Sequence, residues 1–286
     1  MANEATLTTY NDFYPASVLA DQVLDEERPY NALTADMFRY KGNAGSNITD
    51  FPIQDDPGVA AASTEGTGIS NVASGMSSSE ASATLGTVGQ MTTVTDELAD
   101  TASKPEAVGI NMISHVAAVL GRSCAEKFQT DATALIDDFA NTTGTAGVAR
   151  TAADLQEANN QLAQRDQVGT RVGCLDPSVI GDIQKDFGTS LASVYANPGI
   201  ATKALLDTNL DSFAFEYAGT PWLQTSLVTA TGGGVFVTGI ALGLYEAWPL
   251  RLETQRDASM PGTEVVAFKR YGFAEVRDRA GETILT

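Results

Sequence analysis

With 286 residues the chain can bury a good core in one or two domains, and its formal net charge is −19. That charge argues against a nucleic-acid reader, because such proteins concentrate Lys and Arg to replace phosphate counterions. No charged leader precedes an apolar segment and no apolar run approaches the about 20 residues of a membrane helix, so a soluble protein made in the cytoplasm is expected.

Residues 1 to 30 are polar. One short amphipathic piece carries Val18, Leu19, Val23 and Leu24 on a single helical face before Pro29 ends it. An arm of this kind is too short to fold alone and is expected to lie on another surface. Ile48 to Ile53, with Phe51 and Pro52, reads as a strand whose proline favours an edge position.

Between Lys41 and Lys104 there is no positive charge, His or Cys. Glycines at 58, 66, 68, 75, 86 and 89 interrupt Ser, Thr and Ala, and Met91 to Thr95 favours extended structure on the return. The segment predicts a long two-stranded arm with a flexible tip, the alternative being a disordered linker. So few large apolar residues cannot build a core, and the simplest supplier of ordering surface is another copy of the chain.

Ser103 and Glu106 form a capping box around Pro105, which is tolerated in a first turn. Ile113, Val116, Leu120, Cys124, Phe128, Leu135 and Phe139 follow at helical spacing and predict a helix of about 30 to 35 residues. After a Gly/Thr loop from Thr142 to Gly147, Thr151 and Asp154 cap a second helix with Leu155, Ala158 and Leu162 inward. Val168 to Leu175 reads as a strand, and Asp176-Pro177 opens a further helix. Beyond Asn197-Pro198-Gly199 strands are expected at Phe213 to Tyr217, Trp222 to Val228, Val235 to Tyr245 and Val265 to Val276. The fold class is α+β, and no internal repeat is found.

Signatures of catalysis are missing. No glycine is followed by lysine, which rules out a P-loop, and no G-x-S-x-G elbow occurs. Gly232-Gly233-Gly234 lacks dinucleotide spacing and reads as a loop entering the strand at Val235. His115 has no signalled nucleophile or orienting acid and reads as a helix-face histidine. Cys124 and Cys174 read as small apolar fillers. Glu26-Glu27, Asp55-Asp56 and Asp137-Asp138 read as solvated charge, with opportunistic calcium binding the alternative. Asn47 and Asn141 match glycosylation motifs but read as loop asparagines. No catalytic, cofactor-binding or metal site is therefore assigned, and no cofactor is expected.

The order of pieces resembles the major capsid protein of tailed bacteriophages, with the Hong Kong 97-type fold. Phe51-Pro52-Ile53 and Glu65-Gly66-Thr67 sit where that family's extended loop begins, and Val94-Thr95-Asp96-Glu97-Leu98 lies at its return. Thr151 to Leu155 with Cys174 to Pro177 looks like the axial-domain helix and the turn after its strand. Ala241 to Asp257, then Tyr271-Gly272-Phe273, resembles the return into the peripheral domain.

The resemblance implies an N-terminal arm and lead-in at 1–45 and an extended β-hairpin loop at 46–100. It places a peripheral domain with the long spine helix at 101–150, an α/β axial domain at 151–250 and a return to the peripheral domain at 251–286. It implies hexamers and pentamers closing an icosahedral shell around double-stranded DNA, assembled in the host cytoplasm and ending in the virion capsid. The DNA would be held without specific binding, and no membrane would be involved. The extended loop has no lysine, so the covalent bond that some members form from it is not expected here. The chain begins almost directly at the arm, so a separate scaffolding protein is expected, with a portal and a decoration protein as further partners. Competing readings are an encapsulin-type compartment shell and a virion fibre or adhesin protein.

Overall fold

The structure is a computed structural model that describes residues 4–5, 33–42, 45–54, 78–103, 112–189, 213–228, 232–257, 259 and 261–285. The N-terminal amphipathic piece, the tip of the 46–100 segment, the Ser103–Glu106 cap and Asn197-Pro198-Gly199 fall wholly or largely outside these residues. Two sheets share one long helix, and a separate hairpin packs on the five-stranded sheet.

The first sheet has five strands in the order β1 (Glu4–Ala5), β5 (Gly86–Thr95), β12 (Gly262–Glu275), β11 (Leu242–Asp257) and β2 (Arg39–Lys41). The second has six, in the order β6 (Thr142–Thr143), β13 (Gly281–Ile284), β10 (Gly233–Val237), β7 (Arg171–Leu175), β9 (Thr220–Gln224) and β8 (Phe213–Tyr217). The hairpin pairs β3 (Ile48–Gln54) with β4 (Ser78–Thr84), antiparallel from Ile48↔Thr84 to Gln54↔Ser78.

The expected two-stranded arm is therefore present but shorter on its return path. Gly86–Thr95 leaves the hairpin and pairs along β12, from Gly262↔Thr95 to Tyr271↔Gly86. The reason is in the side chains: Val94 is buried with Val265 and Ala267, a packing site the hairpin does not offer.

Helix α1 (Asp96–Ser103) follows at once, a helix the sequence reading did not anticipate. Its start was nevertheless signalled, because the Leu98 amide donates to Thr95 Oγ1 at 3.4 Å and Asp96 and Glu97 fill the first turn. Helix α2 (Met112–Asp137) has 26 residues and spans about 39 Å at 1.5 Å per residue. Its stripe divides into two packing duties. Met112, Val116, Leu120 and Cys124 lie on Val94, Val265 and Ala267 of the five-stranded sheet. Ala132 and Ile136 join Val172, Cys174, Phe236 and Val237 of the six-stranded sheet, and Phe128 between the two sets meets the Tyr271 and Phe273 rings of β12 at centroid distances of 5.0 Å.

The helix–strand–helix unit follows the sequence closely. Helix α3 (Ala152–Gln164) opens with the Thr151 amide donating to Asp154 Oδ2 at 2.8 Å. Helix α4 (Pro177–Thr189) has proline first and the Ser178 amide donating to Asp176 Oδ1 at 2.8 Å. Leu155, Leu162, Ile183, Trp222 and Val235 form the core between these helices and their sheet.

Two strand expectations are corrected. Val235 to Tyr245 is not one strand: a turn at 238–241, with Gly239 at φ 71°, ends β10 and starts β11 in the other sheet. The last segment also divides, because Gly281–Ile284 leaves the five-stranded sheet and pairs with β10 through Gly233↔Ile284 to Phe236↔Gly281. Phe139 and Thr283 explain the switch: Phe139 lies against Gly281, and Thr283 Oγ1 donates to the Ile136 carbonyl at 2.6 Å. Gly233 and Gly234 are already paired within β10, so the glycine run enters the strand earlier than its composition suggested.

Leu120→Ala and Phe128→Ala should each lower the stability of the unassembled subunit by about 2–5 kcal/mol, since both side chains are buried along α2. Urea unfolding of the purified subunit measures this, and losses below about 1 kcal/mol at both positions would show that the stripe is not packed as described.

Candidate functional site

The residues singled out for possible chemistry do not converge. His115 is half-buried on α2, one position from the stripe residue Val116. Cys124 and Cys174 are buried and unbridged, and burial raises both thiol pKa values, that of Cys174 to about 12. Both behave as apolar fillers, because a thiol that stays protonated is a poor nucleophile. Glu26-Glu27 and Asp55-Asp56 lie outside the described residues. Asn47 Oδ1 accepts from Arg270 Nη2 at 2.6 Å, and Asn141 Nδ2 donates to Asp278 Oδ2 at 3.1 Å. Among the described residues no group of three or more His, Cys, Asp or Glu side chains is placed to hold a metal ion.

What the fold does expose is contact surface. Among the described residues the β3–β4 hairpin meets the body along one face, and Arg39 and Lys41 donate to its Pro52 and Asp50 carbonyls. Phe51 and Ala83 pack with Tyr245, Ala274 and Val276, and Tyr245 Oη donates to the Ser46 carbonyl at 2.6 Å. Such close seating needs glycine beneath it: a Cβ at Gly243 would stand 2.8 Å from the Phe51 ring, and one at Gly272 would strike the Thr84 carbonyl. Arg39 and Lys41 add their charges over the Phe51 ring, at 6.0 and 4.9 Å. At the far end Glu80 is exposed.

A second exposed region lies at the distal end of the β11–β12 pair. β2 borders β11 only from Gly243 to Tyr245. From Glu246 to Asp257 the outer edge of β11 has no strand partner among the described residues, and Leu250 and Leu252 are exposed on it. Irregular register between Glu246 and Arg251, around Pro249, bends the strand there. Open edges of this kind offer unpaired backbone groups to another chain.

Where the two sheets meet, Glu275 at the end of β12 stands near Asp278 and Asp138. Asp278 is already engaged, accepting from the Ala140 amide at 2.7 Å through Oδ1 and from Asn141 through Oδ2. Burial and then the charges of Asp278 and Asp138 push the Glu275 carboxyl up to about 7.

These features coincide with what known proteins show. Residues 79–283 match the sequence family described as "Phage capsid protein", and the chain belongs to that family. It is thus a structural component of a virion capsid and not an enzyme. Its fold is the Hong Kong 97-type fold, and three solved structures illustrate the likeness. The capsid of the Cyanophage P-SCSP1u superposes with TM-score 0.66 at 15% identity, over 87% of this chain and 86% of that one. The mature capsid of bacteriophage PhiM1 gives 0.65 at 14% identity, over 90% and 87%. The holo-SrpI encapsulin complex from Synechococcus elongatus PCC 7942 gives 0.64 at 12% identity, over 94% of each chain. No curated protein sequence matches.

Glu275 generates a pH prediction. Its folded pKa lies above its unfolded value, so the folded state binds more protons between about 4.5 and 7 and loses stability as pH rises through that window. Glu275→Gln should therefore raise Tm at pH 8 and leave it near wild type at pH 4, where the carboxyl is neutral in both states. An equal rise at both pH values would show that the effect is not titration.

Proposed function

We infer that this chain is the major capsid subunit, forming the hexamers and pentamers of an icosahedral shell around double-stranded DNA. The observation that carries this reading is the β3–β4 hairpin, a two-stranded sheet that packs on the body by one face and leaves Ile48, Asp50, Pro52, Glu80 and Ser82 exposed on the other. An isolated two-stranded hairpin is marginal in water, so the open face gains order by lying over a neighbour. A contact of that kind joins different surfaces on the two copies and, repeated around an axis, closes rings.

In this reading residues 1–45 are the arm and lead-in, 46–100 the extended loop, 101–150 the peripheral domain with the spine helix α2, 151–250 the axial domain and 251–286 the return to the peripheral domain. Two stretches pair across these bounds: 242–250 belongs to β11 of the five-stranded sheet, and 281–284 pairs with β10 of the six-stranded one. The net charge of −19 suits a container, since an attractive lining would hinder release of DNA. A separate scaffolding protein, a portal and a decoration protein complete the assembly. An encapsulin-type compartment uses the same fold, but the family match favours the phage shell.

The lattice is held without covalent cross-links from the loop, because no lysine lies between Gly42 and Ser103 to attack a neighbour's side chain. Many small contacts per subunit suffice for a kinetically durable shell.

Deleting residues 58–92 should give soluble subunits that retain α2 helicity by circular dichroism but form no shells. Particles of normal size from the truncated chain would remove the loop from the intersubunit contact.

Mature particles boiled in detergent should run as one band near the chain mass of 30.0 kDa. A ladder surviving boiling and reduction would instead reveal covalent chemistry elsewhere.

A further inference from the structure

The face of the five-stranded sheet turned away from α2 is covered unevenly. Val265 and Ala267 of β12 point to the helix, so the alternate residues Val266, Phe268 and Arg270 point the other way. Near the seam the chain's own hairpin seats Phe51 and Thr84 on this face, over Gly243 and Gly272. Farther out nothing among the described residues covers it.

Here Trp248 opposes Arg270, and Arg251 opposes Phe268. Trp248 and Phe268 meet edge to face at 6.2 Å, and the two guanidiniums lie 5.4 and 5.1 Å from the Trp248 ring centroid. Arg270 also donates to Asn47 Oδ1, and neither arginine pairs with a carboxylate among the described residues. In a chain with 36 acidic and 17 basic residues, two guanidiniums held by an indole and left without a carboxylate are a conspicuous expense of positive charge.

We propose that the Trp248–Arg251–Arg270 cluster receives the acidic end of the 46–100 segment of a second copy, as a non-covalent ionic latch. The occupant follows from charge and shape. The segment carries Glu80 on β4 and, directly after β3 in sequence, Asp55 and Asp56, and it has no positive charge. A guanidinium stacked on a ring keeps its N–H edge toward a partner: Arg251 can hold a carboxylate bidentately, and Arg270, which gives Nη2 to Asn47, has its remaining donors. The adjoining edge of β11 offers backbone donors and acceptors that an incoming strand satisfies and a DNA backbone does not. Trp and Arg are also the side chains on which protein interfaces concentrate their binding energy. The latch rests on the loop-over-neighbour reading above and adds the surface that receives the loop.

The test is reciprocal charge reversal in the full-length chain, scored by particle yield, by DNA content and by the circular dichroism of the soluble fraction. Arg251→Glu/Arg270→Glu should cut particle yield by about tenfold or more while leaving a folded subunit, because like charges would then face each other. Adding Asp55→Lys, Asp56→Lys and Glu80→Lys to that variant should restore particles. Arg251→Gln/Arg270→Gln keeps size and removes charge. Its shells should lose the salt sensitivity expected of wild type between about 0.15 and 1 M, where the Debye length falls from about 8 to 3 Å.

Normal assembly of the Glu variant would overturn the latch, as would a loss that the lysine substitutions do not rescue. Particles that form but lack DNA would also overturn it and assign the cluster to nucleic-acid phosphate. Deleting residues 58–92 in parallel separates the two levels: if deletion abolishes shells and reversal does not, the loop contact stands and the latch fails.

Discussion

The structure depends on one helix being apolar along its whole length on one side. α2 places Val116, Leu120, Cys124 and Phe128 against the sheet of β5 and β12, and Ala132 and Ile136 against the sheet of β7 and β10. Among the described residues neither sheet has a second long helix of its own on that surface, so removing the stripe would expose both. Polar groups reinforce the same junction. Gln129 exchanges hydrogen bonds with the Leu33 backbone at 3.0 and 2.6 Å, and Tyr271 Oη donates to Asp131 Oδ2 at 2.8 Å. The Lys269 ammonium sits 3.6 Å from the Phe128 ring centroid and 3.1 Å from Glu246 Oε1, so its charge is satisfied beside the core.

Sequence periodicity made this helix readable because 3.6-residue spacing is local and survives without knowledge of partners. The same holds for α3 and α4, where Thr151, Asp154, Asp176 and Pro177 announce the caps within four residues. What stayed hidden depends on distant partners. Val235 to Tyr245 is one apolar run in sequence, yet Val237 and Leu242 belong to different sheets, and only the turn around Gly239 hints at it. The fate of Gly281–Ile284 is set by β10, almost fifty residues earlier, and no local signal carries that information. The β8–β9 turn was placed, since strands were expected on either side of it, but its conformation was not: Ala218 takes φ 53° where Asn or Asp is usual.

The proposed assembly surface was legible in one part. The lysine-free, core-poor 46–100 segment is a compositional fact, and it led to a loop seeking a neighbour. Its counterpart was not: Trp248, Arg251, Phe268 and Arg270 form a cluster only because an irregular register between β11 and β12 brings the four together. Cross-strand pairs of this kind are fixed by turns and bulges, and a linear pattern does not reveal them.

The chain passes from one sheet to the other at 238–241 and again at 276–280, and both passages lie beside the C-terminal half of α2. Two backbone crossings and a packed helix at one seam leave the body of the subunit little freedom to bend. The hairpin, packed by one face only, and the far end of β11, bordered by one strand among the described residues, are held by fewer contacts. When identical subunits tile a curved surface, the angle between neighbours must differ from place to place, and under the proposed function that accommodation would fall to the outlying strands. The body behaves as a stiff tile and its margins as the hinges of the tiling.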